Sequence, residues 1–539
     1  MGAGHKLPNE LLSLIFDFAC GLEKRRHLSL DSPSIDPPLF STLRLVCRTW
    51  QEVVDSLCPA LYSLVPLQSR ELTSIAIASS RTYPLILQAG LPLTKSVYEQ
   101  TCTVVKEAPQ RIETLNFSQR HLQPSLRARL PPPFYSTRFP SLKTVLLSHT
   151  DLSGVPFGPD QCPQLSVFQA FRCRVSKDHP VFASRLTVLR LEYSTCFSVH
   201  EVINRLKLLP SLEEFVWAQR CVAPRDSSED FLPTPAALSR LRRLHLQGDM
   251  ELVLDVVRSI SAPALEKLKV DMNMGSSEEY SETANSLDPE FGQVFRDDEG
   301  QYVCESYGRA LVSTSSSFIG DGRGREILRV SAASPREDNS IAARGRQVRR
   351  IPKEFELIIR DKPRFKKEWS DFAVLDCLLG PVMDALPQPV LDARRLHVTG
   401  SLIDNGQRWN EIAQTFPLTR KLILTGDAAI SPGITPILCR NSIWAFPLLK
   451  NVVLHRVPNP TVSPPLWKTL VDKLLHMPRM RKSFGPNQRG MLIVDRHELF
   501  NELSDIWKDK VVLVDEATLS REFPYLDHPR FSGWYPEIS

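Results

Sequence analysis

The sequence predicts a mixed α+β and α/β chain: a small N-terminal helical module followed by an irregular solenoid of short parallel strands joined by helices and loops. Three observations carry that prediction. Two segments within the first 57 residues place apolar side chains at helical spacing. A six-residue frame, L-x-x-L-x-L with conservative replacements, recurs ten times between residues 112 and 454. Proline stands two residues before six of those ten frames.

The first helical segment is "LPNELLSLIFDFAC", residues 7–20. Pro8 suits a first helical turn, where its missing N–H costs nothing, and Glu10 favours the positive end of the helix dipole. Leu7, Leu11, Leu14, Ile15 and Phe18 fall on one face at 3.6 residues per turn, and Gly21 is expected to stop the helix. After a polar, proline-containing loop from Gly21 to Pro38, "LFSTLRLVCRTWQEVVDSLC" reads as one second helix. Its apolar residues Leu43, Val46, Cys47, Trp50, Val53, Val54 and Leu57 keep the helical period. Pro59 ends it, and "ALYSLVPL" adds a further apolar turn.

Taken in order, "LPNELLSLIF", "LRLVCRTWQEVV" and "CPALYSLV" resemble the F-box, the helical module by which F-box proteins dock on a Skp-type adaptor of a cullin-RING ubiquitin ligase. The long connection between the first two helices is similar to the F-box-like variant of large fungal families. Carried over residue by residue, the resemblance implies adaptor contact from Leu7, Pro8, Leu11 and Ile15 of the first helix and from Val46, Cys47 and Trp50 of the second. Holding the module together is the alternative role for several of them. On the residues alone, the segment also reads as a helical cap on a larger core.

The frames begin with "IETLNF" at 112, "LKTVLL" at 142, "LSVFQA" at 165, "LTVLRL" at 186, "LEEFVW" at 212, "LRRLHL" at 241 and "LEKLKV" at 265. "ARRLHV" at 393, "TRKLIL" at 419 and "LKNVVL" at 449 follow. The first seven starts lie 21 to 30 residues apart, close to the period of about 20–29 residues that marks leucine-rich repeats. Pro140, Pro163, Pro210, Pro263, Pro417 and Pro447 are the prolines two residues ahead; each ends the preceding turn and delivers the chain extended into a strand. Cys173 occupies the slot where a small polar side chain packs in such repeats, so it reads as structural. The arrangement as a whole is similar to fungal F-box-like proteins with repeat-type C-terminal regions.

The resulting division is 5–67 helical module, 68–111 connecting strand and helix, 112–272 first repeat block, 273–350 charged insertion, and 351–539 second repeat block with a C-terminal cap. The insertion holds nine acidic side chains against one Arg over 275–305, then nine Arg against four acids over 309–350. Its Ser, Gly and charge content predicts a partly disordered segment without a core of its own, although short apolar pieces such as "EILRVS" are able to pair as strands. "FELIIR" at 355 is expected to resume the strand array.

Composition narrows the function classes. A net charge of +5 over 539 residues is too dilute to indicate nucleic acid or membrane, and no apolar run approaches the roughly 18 residues that span a bilayer. The eleven cysteines are scattered without a C-x-x-C pair, which argues against a disulfide framework or a zinc site. With no signal-peptide pattern at the N-terminus, the expected location is cytoplasmic or nuclear. Enzyme motifs fail on inspection. In "GLPLTKS" (90–96) Thr94 replaces the glycine that a phosphate loop needs before Lys95, "GDGRG" (320–324) lies in a Ser-rich stretch, and "HELFN" (497–501) lacks the second histidine of a zinc protease helix. No catalytic residue, metal ligand or cofactor is expected.

If frame positions 4 and 6 point into the core, positions 3, 5 and 7 face the open side of the strands. That rule gives a basic stripe of Arg190, Arg243, His245, Lys267, Lys269, Arg395, His397 and Lys421, with Arg243 stacked beside Lys267 and His245 beside Lys269. Such a stripe suits an acidic or phosphorylated segment of a target protein. The reading that follows is a non-enzymatic substrate receptor of a Skp-cullin-F-box ligase. The alternative is a repeat scaffold whose helical cap has no ligase role.

Overall fold

The computed structural model describes residues 7–27, 39–67, 69–89, 94–117, 128–194, 197–219 and 234–273, and, more sparsely, 309–318, 323–333, 354–360, 364–365, 386, 390, 392–399, 406–425, 428, 446–455, 491–494, 501, 503 and 511–513. The chain divides into two compact units, Met1–His245 with Ser259–Ala262, and Leu246–Arg258 with Pro263–Ser539.

The first unit opens with three helices, α1 (Asn9–His27), α2 (Leu39–Arg44) and α3 (Arg48–Leu57), then a 3-10 turn at Pro59–Ser63. Two sequence expectations need correction. Helix α1 does not stop at Gly21 but runs to His27, because Leu22, Glu23, Lys24, Arg25 and Arg26 are strong helix formers and one glycine costs only about 1 kcal/mol. The second helix is two helices. Leu45 and Val46 form a turn, and Cys47 is extended (φ −163°, ψ 167°) as the N-cap of α3.

Parallel strands follow: β1 (Leu64–Pro66), β2 (Leu85–Gln88), β3 (Ile112–Phe117), then the two-residue β4 (Ala128–Arg129), β5 (Thr144–Ser148), the short β6 (Thr150–Asp151), β7 (Val167–Phe171), β8 (Val188–Glu192) and β9 (Glu214–Ala218). β1, β2, β3, β5, β7, β8 and β9 pair successively, every pair parallel. The array thus starts at Leu64, inside the stretch assigned to the helical module, and includes the segment 68–111. Short flanking strands pair β4 with β6 and β10 (Ala236–Ala237) with β12 (Ile260–Ser261). Between β10 and β12 comes β11 (Arg243–Asp249); its backbone joins the array where the Arg242 and Arg243 N–H groups donate to Glu213 O at 2.8 and 3.0 Å.

Each frame becomes a strand because its positions 1, 4 and 6 are apolar and buried: Leu142, Val145 and Leu147; Leu165, Phe168 and Ala170; Leu186, Leu189 and Leu191; Leu212, Phe215 and Trp217. Helices α4 (Arg70–Ser79), α5 (Lys95–Glu107) and α6 (Val199–Leu206) connect strands. The Thr94 hydroxyl caps α5 by accepting from Val97 N, so the residue that spoils a phosphate loop starts a helix. Ser198 and Glu201 form a capping box on α6.

The strand ends show a second regularity. His149, Arg172 and Tyr193 each follow the last residue of a strand, and each has a left-handed backbone (φ 50°, 52° and 49°). Their N–H groups donate to Phe171 O, Glu192 O and Ala218 O at 2.8, 2.7 and 2.6 Å, which extends the ladder one rung past the strands. One residue further along the same turns, small side chains bond back to the backbone. Thr150 Oγ1 donates to Ser148 O at 2.8 Å, Cys173 Sγ to Phe171 O at 3.5 Å, and Ser194 Oγ to Ala170 O at 2.9 Å. Cys173 is buried and not in a disulfide, as its slot in the frame implied.

In the second unit, helix α7 (Met250–Arg258) packs on β13 (Lys267–Asn273). Further strands are β14 (Arg309–Phe318), β15 (Arg323–Ala333), β16 (Glu354–Arg360), the two-residue β17 (Arg364–Phe365), β18 (Arg395–Thr399), β19 (Lys421–Thr425), β20 (Asn451–His455), β21 (Met491–Val494) and β22 (Val511–Leu513), with α8 (Gly406–Thr415) between β18 and β19. β16 pairs parallel with β13, as "FELIIR" predicted. Within the segment read as a partly disordered insertion, two strands are described, one of them containing "EILRVS", while residues 274–308 and 334–350 lie outside the described residues. β15 runs antiparallel between β16 and β14, and β14 pairs parallel with β18. Two added strands of opposite direction leave β18 parallel to β16, so the array continues through β19, β20, β21 and β22 in parallel register. Among the described residues no pairing closes the strands into a barrel.

Candidate docking surface and strand-face residues

Helix α1 is apolar on two sides, and only one is used for packing. Leu12 and Phe16, four residues apart, are 4% and 1% exposed and join Phe40, Leu43, Val53, Val54, Cys58, Leu61 and Tyr62 in one core. Phe16 meets Trp50 edge-on at 5.0 Å, and Phe40 meets Tyr62 at 4.5 Å between ring centroids. A polar clasp ties α2, α3 and the following turn: Arg44 Nε lies 3.2 Å from Asp55 Oδ1, which also accepts from the Tyr62 hydroxyl. Burial, and then this hydrogen bond, holds the Tyr62 phenol well above the usual tyrosine value.

The other side of α1 is open. Leu7, Leu11, Leu14, Ile15 and Phe18 are between 47% and 70% exposed. At the break between α2 and α3, Leu45 is 87% and Val46 55% exposed. Seven large apolar side chains on one small module form the kind of exposed patch that marks an interaction surface.

Of the residues expected to touch an adaptor, Leu7, Pro8, Leu11, Ile15, Val46 and Cys47 are exposed. Trp50 is half-buried against the core and holds the module together. Leu14, Phe18 and Leu45 are additions to that set. Leu14 and Phe18 carry the same periodic signal as Leu11 and Ile15. Leu45 has none, because a helix read straight through residues 45–47 assigns it to the polar side.

The basic stripe is corrected by the structure in three respects. Arg190 is not free: its Nε and Nη2 lie 2.7 and 2.5 Å from Glu214 Oε1, and Arg243 Nη1 lies 3.0 Å from Oε2 of the same carboxylate. His245 is 2% exposed, so it presents nothing to solvent. Glu192, Asp271 and Ile423, at positions 7, 7 and 5 of their frames, are equally buried. Neighbouring strands about 4.8 Å apart let long side chains cover these positions. Of the stripe residues, Arg190, Arg243 and His245 belong to the first unit and Lys267, Lys269, Arg395, His397 and Lys421 to the second.

Within the second unit, Lys267 and Lys269 stand in register with Glu354 and Glu356. Arg395 is exposed and in register with the half-buried Lys421. His397 Nε2 is 2.8 Å from Thr425 Oγ1. Burial, and next the neighbouring His455, pulls the His397 imidazole down to about 3.

Among the described residues no group of three or more His, Cys, Asp or Glu side chains is placed to hold a metal. No described helix is long and apolar enough to cross a membrane. Comparison with protein-family models gives no match, and comparison with curated proteins gives no match.

Proposed function

We propose that the chain is the substrate-receptor subunit of a Skp-cullin-F-box type ubiquitin ligase. In this reading the helical module docks the adaptor, the strand array holds a target protein, and partner subunits carry out ubiquitin transfer. The observation that carries it is the exposure of Leu7, just before α1, and of Leu11, Leu14, Ile15 and Phe18 on it, while Leu12 and Phe16 are its buried side chains among the described residues. A helix serving only as a cap would bury that face.

One contact favours the alternative of a repeat scaffold with a closing cap. Arg81 Nη2, just after α4, donates to Ser56 O of α3 at 3.5 Å, so the helical module is bonded to the segment that connects the first strands. The two readings separate in one experiment. The full chain is tested for capture of a purified Skp-type adaptor, alongside a Leu11→Asp, Ile15→Asp double variant whose thermal unfolding matches the parent. Loss of capture by at least about tenfold supports docking through this face. No capture by the parent chain, or equal capture by the double variant, overturns the receptor reading.

A further inference from the structure

At the starts of the strands, frame position 2 forms its own ladder, and the two units fill it with opposite charge logic. In the first unit the ladder runs Glu113, Lys143, Ser166, Thr187, Glu213, Arg242. Each residue bonds to the next through the backbone: Lys143 N to Glu113 O, Ser166 N to Lys143 O, Thr187 N to Ser166 O, Glu213 N to Thr187 O and Arg242 N to Glu213 O, all at 2.8–3.0 Å. Acids and bases share it, and Lys143 Nζ sits 3.0 Å from Glu113 Oε1.

The same backbone ladder in the second unit runs Arg394, Arg420, Lys450. Arg420 N donates to Arg394 O at 2.8 Å, and Lys450 N donates to Arg420 O at 2.8 Å. All three side chains are exposed, and position 3 adds the exposed Arg395 and the half-buried Lys421. Arg394, Arg395, Arg420 and Lys450 form no ion pair among the described residues. Five cations therefore occupy three consecutive rungs about 4.8 Å apart, with Asp392 the one carboxylate beside them in sequence. Like charges at that spacing repel, and an anionic partner would relieve the repulsion.

The flanking position selects the kind of partner. Just after Pro417 and Pro447, Leu418 and Leu448 occupy the same place in successive frames, 38% and 41% exposed. Alternating cations and aliphatic knobs suit a polypeptide better than a nucleic acid, whose bases need aromatic stacking platforms.

We infer that the starts of β18, β19 and β20 bind an extended segment of a partner protein in which Asp or Glu alternates with aliphatic residues. Carboxylates would pair with the guanidinium groups of Arg394, Arg395 and Arg420 through charge-assisted hydrogen bonds, and Leu418 and Leu448 would take the aliphatic side chains. The inference extends the receptor reading to its target. Peptide binding is measured without adaptor, so either reading can fail alone.

The probe is a fluorescein-labelled peptide of repeating Glu-Leu-Asp-Leu, followed by anisotropy with the full chain at low and high salt. Binding that weakens with salt and falls at least about tenfold in an Arg394→Glu, Arg420→Glu, Lys450→Glu variant, but not in Arg242→Glu at the corresponding rung of the first unit, supports the assignment. Circular dichroism checks that the variants are folded; should the triple variant unfold, Arg394→Gln and Arg420→Gln singly are expected to weaken binding severalfold. No binding by the parent, or equal loss in Arg242→Glu, overturns it. A mixed-sequence single-stranded RNA that binds more tightly and is lost in the same variant also overturns it, by reassigning the ladder to nucleic acid.

Discussion

The Tyr62 hydroxyl donates to the carboxylate of Asp55, and that pair closes the helical module around its core. Tyr62 is 1% exposed and Asp55 is 40% exposed in its side chain, so the bond runs from the core to its edge. Tyr62→Phe removes the donor and keeps the ring, and is expected to destabilise the chain by about 1–2 kcal/mol. Its pH dependence is distinctive. The raised folded-state value means that the stabilisation is fully present below pH 10, the unfolded tyrosine value. It is lost as pH rises beyond that, because the unfolded chain ionises first. Denaturant midpoints at pH 8 and pH 11 should therefore fall further for the parent than for Tyr62→Phe; equal falls would remove Tyr62 as the cause.

Helix α1 has a buried side and an exposed side, which lets stability be tested apart from the proposed docking. Phe16→Ala empties a site 1% exposed among Trp50 and its neighbours and should cost about 3–5 kcal/mol. Phe18→Ser, two residues on and 70% exposed, should change stability by less than about 0.5 kcal/mol while weakening adaptor capture. Chemical denaturation of both variants checks the contrast, and comparable losses would mean that the open side is part of the core.

Glu214 holds two guanidinium groups, and they are not equivalent. Arg190 is 27% exposed in its side chain and bonds through two nitrogens, whereas Arg243 is 53% exposed and bonds through one. Glu214→Gln leaves Arg190 half-buried without its counter-charge and is expected to cost about 2–4 kcal/mol. Arg243→Ala leaves the inner pair intact and should cost less than about 1 kcal/mol. Urea unfolding of both variants tests the order, and a larger effect from Arg243→Ala would reverse the assignment.

Much of the strand array was legible because burial at frame positions 1, 4 and 6 leaves a fixed mark, as in Leu165, Phe168 and Ala170. β1 was missed, because three residues cannot display that mark, whereas β2 lies in the 68–111 segment read as a connecting strand and helix. The α2–α3 break was hidden because Val46 and Trp50 keep helical spacing across it. The β14–β15 hairpin lay in a Ser- and Arg-rich stretch whose strands have almost no apolar alternation. On α1, periodicity alone could not separate the pair Leu12 and Phe16 from the pair Leu11 and Ile15, since each is four residues apart and apolar; packing decided which faces inward. The cation ladder at Arg394, Arg420 and Lys450 escaped because the frame treats its x positions as interchangeable. Their charges gain meaning only when stacked.

His397 makes the second unit sensitive to acid. Its imidazole is drawn down to about 3 by burial and then by His455, against 6.5 in an unfolded chain. Beside it lie Arg395 on its own strand, Lys421 and Thr425 on β19 and His455 on β20, with Leu311 of β14 paired to it on the other side; none of these is a carboxylate that would offset a new positive charge. A depressed folded-state value means that the stabilisation is present above pH 6.5. It is lost as pH falls from there toward about 3, because the unfolded chain takes up the proton first. His179 in the first unit, pulled down to about 4 by burial, adds a background of the same sign. His397→Gln keeps an amide within reach of Thr425 Oγ1 and removes the titration. Urea midpoints at pH 7 and pH 5 should therefore differ less in His397→Gln than in the parent, and an unchanged difference would assign the acid sensitivity to His179 instead.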